Sequence, residues 1–84
     1  MALRSEEDDA VVEARQNLAQ ARAALGDALD ALAREAKATA KASRGKARTV
    51  PLDRVYAAVT DVQRAEEAVD FAATDVASAS GHDV

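Results

Sequence analysis

Val11, Leu18, Leu25 and Leu32 recur at every seventh residue in one half of this chain, and Val55, Val62, Val69 and Val76 do so in the other. Taken from opposite ends, 11 with 76, 18 with 69, 25 with 62 and 32 with 55, the paired positions add to a constant 87. A seven-residue apolar repeat is one stripe along a helix. A constant sum is the condition for two such stripes to lie level in antiparallel helices, with the chain doubling back near residue 43 or 44. Three residues past the large positions stand Ala14, Ala21 and Ala28, then Glu35, and in the second half Ala58, Ala65, Ala72 and Ala79. Large and small residues in alternation let two backbones approach more closely than a Leu against Leu seam would. The pattern predicts an all-α fold: an antiparallel two-helix hairpin, an alanine-rich coiled coil, that completes a four-helix bundle by dimerisation.

Local signals divide the chain as one helical-hairpin domain, residues 1–84. Ser5-Glu6-Glu7-Asp8 reads as a capping box, with acids at the positive end of the helix dipole, so the first helix is expected over about 5–43. Lys37 and Lys41 suit its C-terminal end, and Gly45 is a stop. A basic loop follows over 44–50. Pro51 fits a first helical turn, where its missing N–H costs nothing, and the second helix is expected over about 51–80. Ser80-Gly81 ends it, leaving a short tail, 81–84, that contains the only histidine, His82. Gly26 lies inside the first helix, where it costs about 1 kcal/mol relative to Ala. It either permits a close backbone crossing or is incidental.

The seam is long but thin. Of 84 residues 23 are Ala, against 6 Leu and 9 Val; alanine favours the helix yet brings little apolar area to bury, and a chain this short has little surplus to spare. The hairpin is therefore expected to find a partner, its own copy in a homodimer or another helical protein. Beside the seam the same register sets Arg22 against Glu66, Leu29 against Val59 and Ala36 against Leu52, so the apolar strip widens toward the loop. An exposed Arg–Glu pair is worth about 0–1 kcal/mol and selects register more than it stabilises. Val12, Leu29, Tyr56, Val59 and Phe71 are candidates for a second contact face, since apolar side chains on more than one stripe are typical of bundles and bound hairpins. Leu3 is a further apolar residue off the seam.

Charge is segregated. From Arg34 to Arg54 seven basic residues face two acidic ones, a net of +5, while the rest of the chain holds four basic and thirteen acidic residues, a net of −9. In a hairpin this makes one basic pole and one acidic pole. Lys37, Lys41, Arg44, Lys46 and Arg48 are a candidate basic contact patch. Complementing the helix dipole and keeping the chain in solution accounts for them. Phosphate binding is the alternative, although base stacking would want aromatic neighbours and the nearest is Tyr56.

Catalytic, metal and cofactor roles find no support in the residues. Cysteine is absent, the three glycines are scattered at 26, 45 and 81, and the acids sit on ordinary charged faces with no histidine beside them. No secretory leader is visible in MALRSEEDDA, and no stretch nears the roughly 18 apolar residues of a membrane span. A cytoplasmic or virion-associated chain without membrane insertion is expected. The excess of Arg over Lys, the single Asn and the absence of Ile suit a high-GC bacterium or its phage.

In outline the chain resembles the small helical-hairpin substrates of type VII secretion. At the bend, where that family carries Trp-x-Gly, this chain has Ser43-Arg44-Gly45, and Phe71 to Asp75 match its Tyr-x-x-x-acid signal only in spacing and in the acid. The likeness is one of architecture, and it implies a hairpin that works beside a partner. Three functions remain: a non-enzymatic structural or adaptor protein acting by helix packing, in self-assembly or in a larger virion or secretion assembly; a small nucleic-acid-associated protein using the basic tip; and a partner chaperone or secreted pair member.

Overall fold

The computed structural model describes the backbone of residues 2–46 and 48–80, and side-chain surroundings from Asp9 onward. The expected tail with Gly81 and His82, and the side chain of Leu3, lie outside the described residues. Two helices pack against each other: α1, Ala2–Arg44, and α2, Asp53–Ala79. At about 1.5 Å per residue they are about 65 and 40 Å long. The molecule measures 69 × 19 × 13 Å, two helices wide and one deep, and the described residues form no strand.

The two helix starts differ from the sequence expectation by three and two residues, each for a local reason, and the two ends by one. The first helix begins at Ala2, so Ser5 lies within helical backbone and does not cap it. Ala, Leu and Arg are strong helix formers, and nothing in Ala2-Leu3-Arg4 stops the helix short of them. Its first turn consequently carries no acid; Glu6 to Asp9 fall one turn later. At the other end α1 reaches Arg44, and the Gly45 N–H donates to the Ala42 carbonyl at 3.1 Å to close the last turn. Gly45 stays out of the left-handed region, and a Cβ there would meet the Ala42 carbonyl oxygen at 3.4 Å, so the stop does not rest on a glycine's freedom.

The second helix starts at Asp53, two residues after Pro51. Val50 precedes a proline and is pushed toward extended backbone. Leu52, at φ −107° and ψ 3°, is the N-cap, and its carbonyl accepts the first helical bond from the Tyr56 N–H at 2.9 Å. Asp53 then supplies the negative charge in the first turn. At its far end α2 stops at Ala79, with the Ser80 N–H bonded to the Val76 carbonyl at 2.9 Å. Thr60 and Thr74 are satisfied within α2, their hydroxyls donating to the carbonyls of Tyr56 and Asp70 at 3.1 and 3.0 Å.

Burial follows a seven-residue rhythm. Val11, Leu18, Leu25 and Leu32, and Val55, Val62, Val69 and Val76, are all half-buried. Among the described residues only Ala14, Ala58 and Ala72 are buried, at 6, 6 and 8% exposure, and no larger side chain is enclosed. These three stand on the line of small positions between the helices, whose other alanines, Ala21, Ala28, Ala65 and Ala79, are half-buried. The larger side chains splay outward on either side of that line and keep one flank in solvent. A two-helix layer can do no better, since no further element of the described residues lies above or below it.

Candidate interaction surfaces

Among the described residues no three His, Cys, Asp or Glu side chains stand close enough to hold a metal ion, and no helix is long and apolar enough to cross a membrane. What the fold presents is surface, and its most informative parts are the apolar side chains it leaves uncovered. Val12, Leu29, Leu52, Tyr56 and Phe71 are exposed at 51, 47, 41, 63 and 73%. Val59, expected beside them, is half-buried against the seam.

These residues do not form one patch. In the seven-residue repeat Leu29, Leu52 and Val59 occupy the position flanking the seam on one side, and Val12 and Tyr56 the next position outward on that side. Phe71 falls two positions further round, in a shallow groove lined with Glu67, Asp70 and Thr74 of its own helix. It is a separate feature among acids. The first group lies on a single face of the hairpin, and α1 carries that face along its whole length: Val12, Ala19, Gly26 and Ala33 are exposed and Ala40 half-buried, again seven apart. The spacing is present in the sequence. It is easily passed over there because alanine and glycine read as helix filler until their exposure is seen.

At the loop end the face deepens into a groove of ≈ 430 Å³ lined by Ala36, Thr39, Ala40, Ser43, Val50, Leu52 and Val55. The groove joins Ala36 to Leu52, the pair that the register sets level, and arises because the connecting segment runs back beside the last turns of α1. Leucine is a poor N-cap, far below Ser, Asp or Asn, and Leu52 makes no side-chain capping bond. Its side chain contributes to the groove wall in place of a cap. A second groove at the same end has a mixed lining, with Glu35, Asp53 and Arg54 beside Ala38, Thr39, Ala42 and Pro51.

Lys37, Lys41, Arg44, Lys46 and Arg48 are all exposed at the loop pole. At the other pole, residues 9–14 and 65–80 carry Asp9, Glu13, Glu66, Glu67, Asp70 and Asp75 and no Lys or Arg. Along a molecule 69 Å long the two poles are separated by several Debye lengths, each about 8 Å at physiological salt. They cannot neutralise one another within one copy. Arg22 and Glu66, which the sequence register sets level, both stand in solvent, where such a pair contributes little.

Gly26 lies on the exposed apolar stripe, and a Cβ added there would meet nothing within 4 Å. Within the hairpin it therefore makes no close crossing. For the single hairpin, at concentrations below any self-association, Gly26→Ala is expected to raise stability by about 1 kcal/mol through helix propensity alone, read as a higher urea midpoint with an unchanged slope. No known protein family, curated protein or solved structure matches the chain.

Proposed function

We propose that the hairpin is a non-enzymatic structural or adaptor protein that acts by helix packing, through self-association as a coiled-coil homodimer or through insertion into a larger helical assembly such as a virion or secretion complex. The observation that carries this reading is that the two-helix layer encloses nothing larger than alanine among the described residues while four large apolar side chains, Val12, Leu29, Leu52 and Tyr56, share one uncovered face. Surfaces of that kind mark contact sites. Packing a second layer on this face would bury those side chains and the open flank of the seam at once. A cytoplasmic or virion setting in a high-GC bacterium or phage suits the composition.

Native mass measurement of the purified chain tests the proposal. A dimer at micromolar concentration is the expected result. A stable monomer up to millimolar concentration with a high melting point would remove self-association, while a monomer that is only marginally folded would point to insertion beside another protein, the mode shared by an adaptor and a secreted or chaperoned pair member.

One observation favours a second reading, a nucleic-acid-associated protein: five exposed basic side chains converge on one pole. Changing Lys41, Arg44 and Lys46 together to Gln separates the cases. End-charge contributions are worth about 0.3–1 kcal/mol each at low salt and less when screened, so a small change in melting temperature is expected and no change in DNA affinity. Sub-micromolar DNA binding by the native chain that falls steeply with salt and disappears in the triple variant would promote the nucleic-acid reading, because released counterions give phosphate binding that signature.

A further inference from the structure

The face along α1 has a symmetry that its large exposed residues alone do not reveal. Val12, Ala19, Gly26, Ala33 and Ala40 are seven apart and centred on Gly26. Turned end for end about that residue, the stripe maps onto itself: 12 meets 40, 19 meets 33, and 26 meets 26, each pair adding to 52. We propose that this face is covered by a second copy of the chain, α1 against α1 in antiparallel sense, with a two-fold axis at Gly26. The inference rests on the self-association reading and specifies its partner face, direction and register.

Three features of the molecule select this occupant. The first is fit at the ends. Val12, half in solvent at 51% exposure, arrives level with Ala40 of the second copy, beside the apolar groove lined by Ala36, Ala40 and Leu52. By symmetry the same contact forms at both ends of the pairing, so one exposed valine and one open groove satisfy each other twice. The second is fit at the centre. Small residues at 19, 26 and 33 let the two helices approach closely, and the open space over Gly26 is what a facing backbone would occupy.

The third is charge complementarity, and it fixes the direction. Antiparallel pairing lays the basic pole of each copy along the acidic pole of the other. In the register about Gly26, Arg44 comes within one residue of level with the second copy's Asp9, and Lys41 within two of its Glu13. Along the flanks of the stripe Gln16 meets Lys37, Ala23 meets Asp30, Arg15 meets Ala36 and Arg22 meets Leu29. None of these flanking pairs is of like charge, and outside them, at the heptad position of Lys41 and Glu13, Asp27 comes beside its own counterpart across the axis, exposed to solvent. A parallel pairing on the same stripe would stack the two basic tips, each of net +5 over residues 34–54, and bring acid against acid at the other end. Like-charge juxtaposition of that kind excludes a geometry more effectively than opposite charges stabilise one.

The native chain has no cysteine, so single thiols report the geometry directly. Gly26→Cys, Ala40→Cys and Val12→Cys are made separately, each checked by circular dichroism, and each oxidised below the midpoint of any salt-induced dissociation. A disulfide requires Cα atoms within roughly 7 Å. Gly26→Cys is expected to give mostly covalent dimer on a denaturing gel. Ala40→Cys alone and Val12→Cys alone should stay monomeric there, and their equimolar mixture should give the mixed dimer. Raising salt before oxidation should reduce the mixed product. Ala40→Cys linking to itself would establish the parallel arrangement and overturn the inference. A dimeric native mass with no cross-link from Gly26→Cys or from the mixture would place the contact on another face, such as that of Phe71, and sink the inference while leaving self-association standing. A monomeric native mass at every concentration would remove both.

Discussion

Leu25→Asp is expected to collapse most of the helical signal and lower the melting temperature steeply. Leu25 is half-buried in the middle of the seam, level in the heptad register with Val62. The substitution removes a large apolar side chain and sets a carboxylate against apolar side chains across the seam, the nearest cation being Arg22 one turn back, itself in solvent. The lost packing and the desolvation of the charge together cost on the order of 3 kcal/mol at a half-solvated site. A chain of this length holds roughly 4–12 kcal/mol in all, and a single alanine-lined seam belongs near the low end. Among the described residues the seam holds the contact between α1 and α2, so the loss is not shared with a second core. Gln20→Asp is the matched control. Its position is exposed, its neighbours one turn away are uncharged, and it should cost about 0.5 kcal/mol or less. Unchanged circular dichroism and melting in Leu25→Asp would show that the helices meet along some other stripe.

The pairing of two helices was legible in the sequence because two independent repeats had to agree. Four large residues seven apart describe a helix stripe, but the constant sum of 87 ties one half of the chain to the other and leaves one direction. Positions of half-burial then fall where alternating Val or Leu and Ala place them. Helix ends were less legible because they depend on a few weak local terms. Ser5-Glu6-Glu7-Asp8 resembles a capping box, yet the helix formers before it continue the same hydrogen-bond ladder. Pro51 suits a first turn, yet Leu52 keeps a non-helical ψ of 3° and the helix waits for Asp53. The surfaces were legible in part. Val12, Leu29, Tyr56 and Phe71 are exposed as their off-seam spacing implies, but spacing alone did not separate Phe71 from the others or show that Val59 folds back toward the seam. In the sequence Leu52 stands out only as a partner of Ala36. Its exposure follows from the path of residues 48–52, and no periodic pattern records the course of a connecting segment.

Ala58→Leu is expected to be as informative as the loss of a large residue, for the opposite reason. Ala58 is buried at 6% exposure, and in the heptad register it lies level with Ala28 on the facing helix. Small residues on both sides set the distance between the helices at that level. An isobutyl group there cannot turn to solvent without leaving the seam, so the helices must separate or the side chain must adopt a strained rotamer. Overpacking of this kind costs about 1–3 kcal/mol. Ala57→Leu adds the same apolar group one residue earlier on an exposed face and should leave stability within about 0.5 kcal/mol. The paired comparison removes hydrophobicity and helix propensity as explanations, since both variants gain the same side chain on the same helix. A lower denaturant midpoint in Ala58→Leu but not in Ala57→Leu is the expected result. If both variants were equally stable, the close approach of the helices at Ala58 would not be what limits side-chain size there, and the small positions would owe their alanines to helix propensity alone. If Ala58→Leu were more stable than the native chain, the seam would hold spare volume, and the need for a second layer to complete it would be stronger than the exposed face already implies.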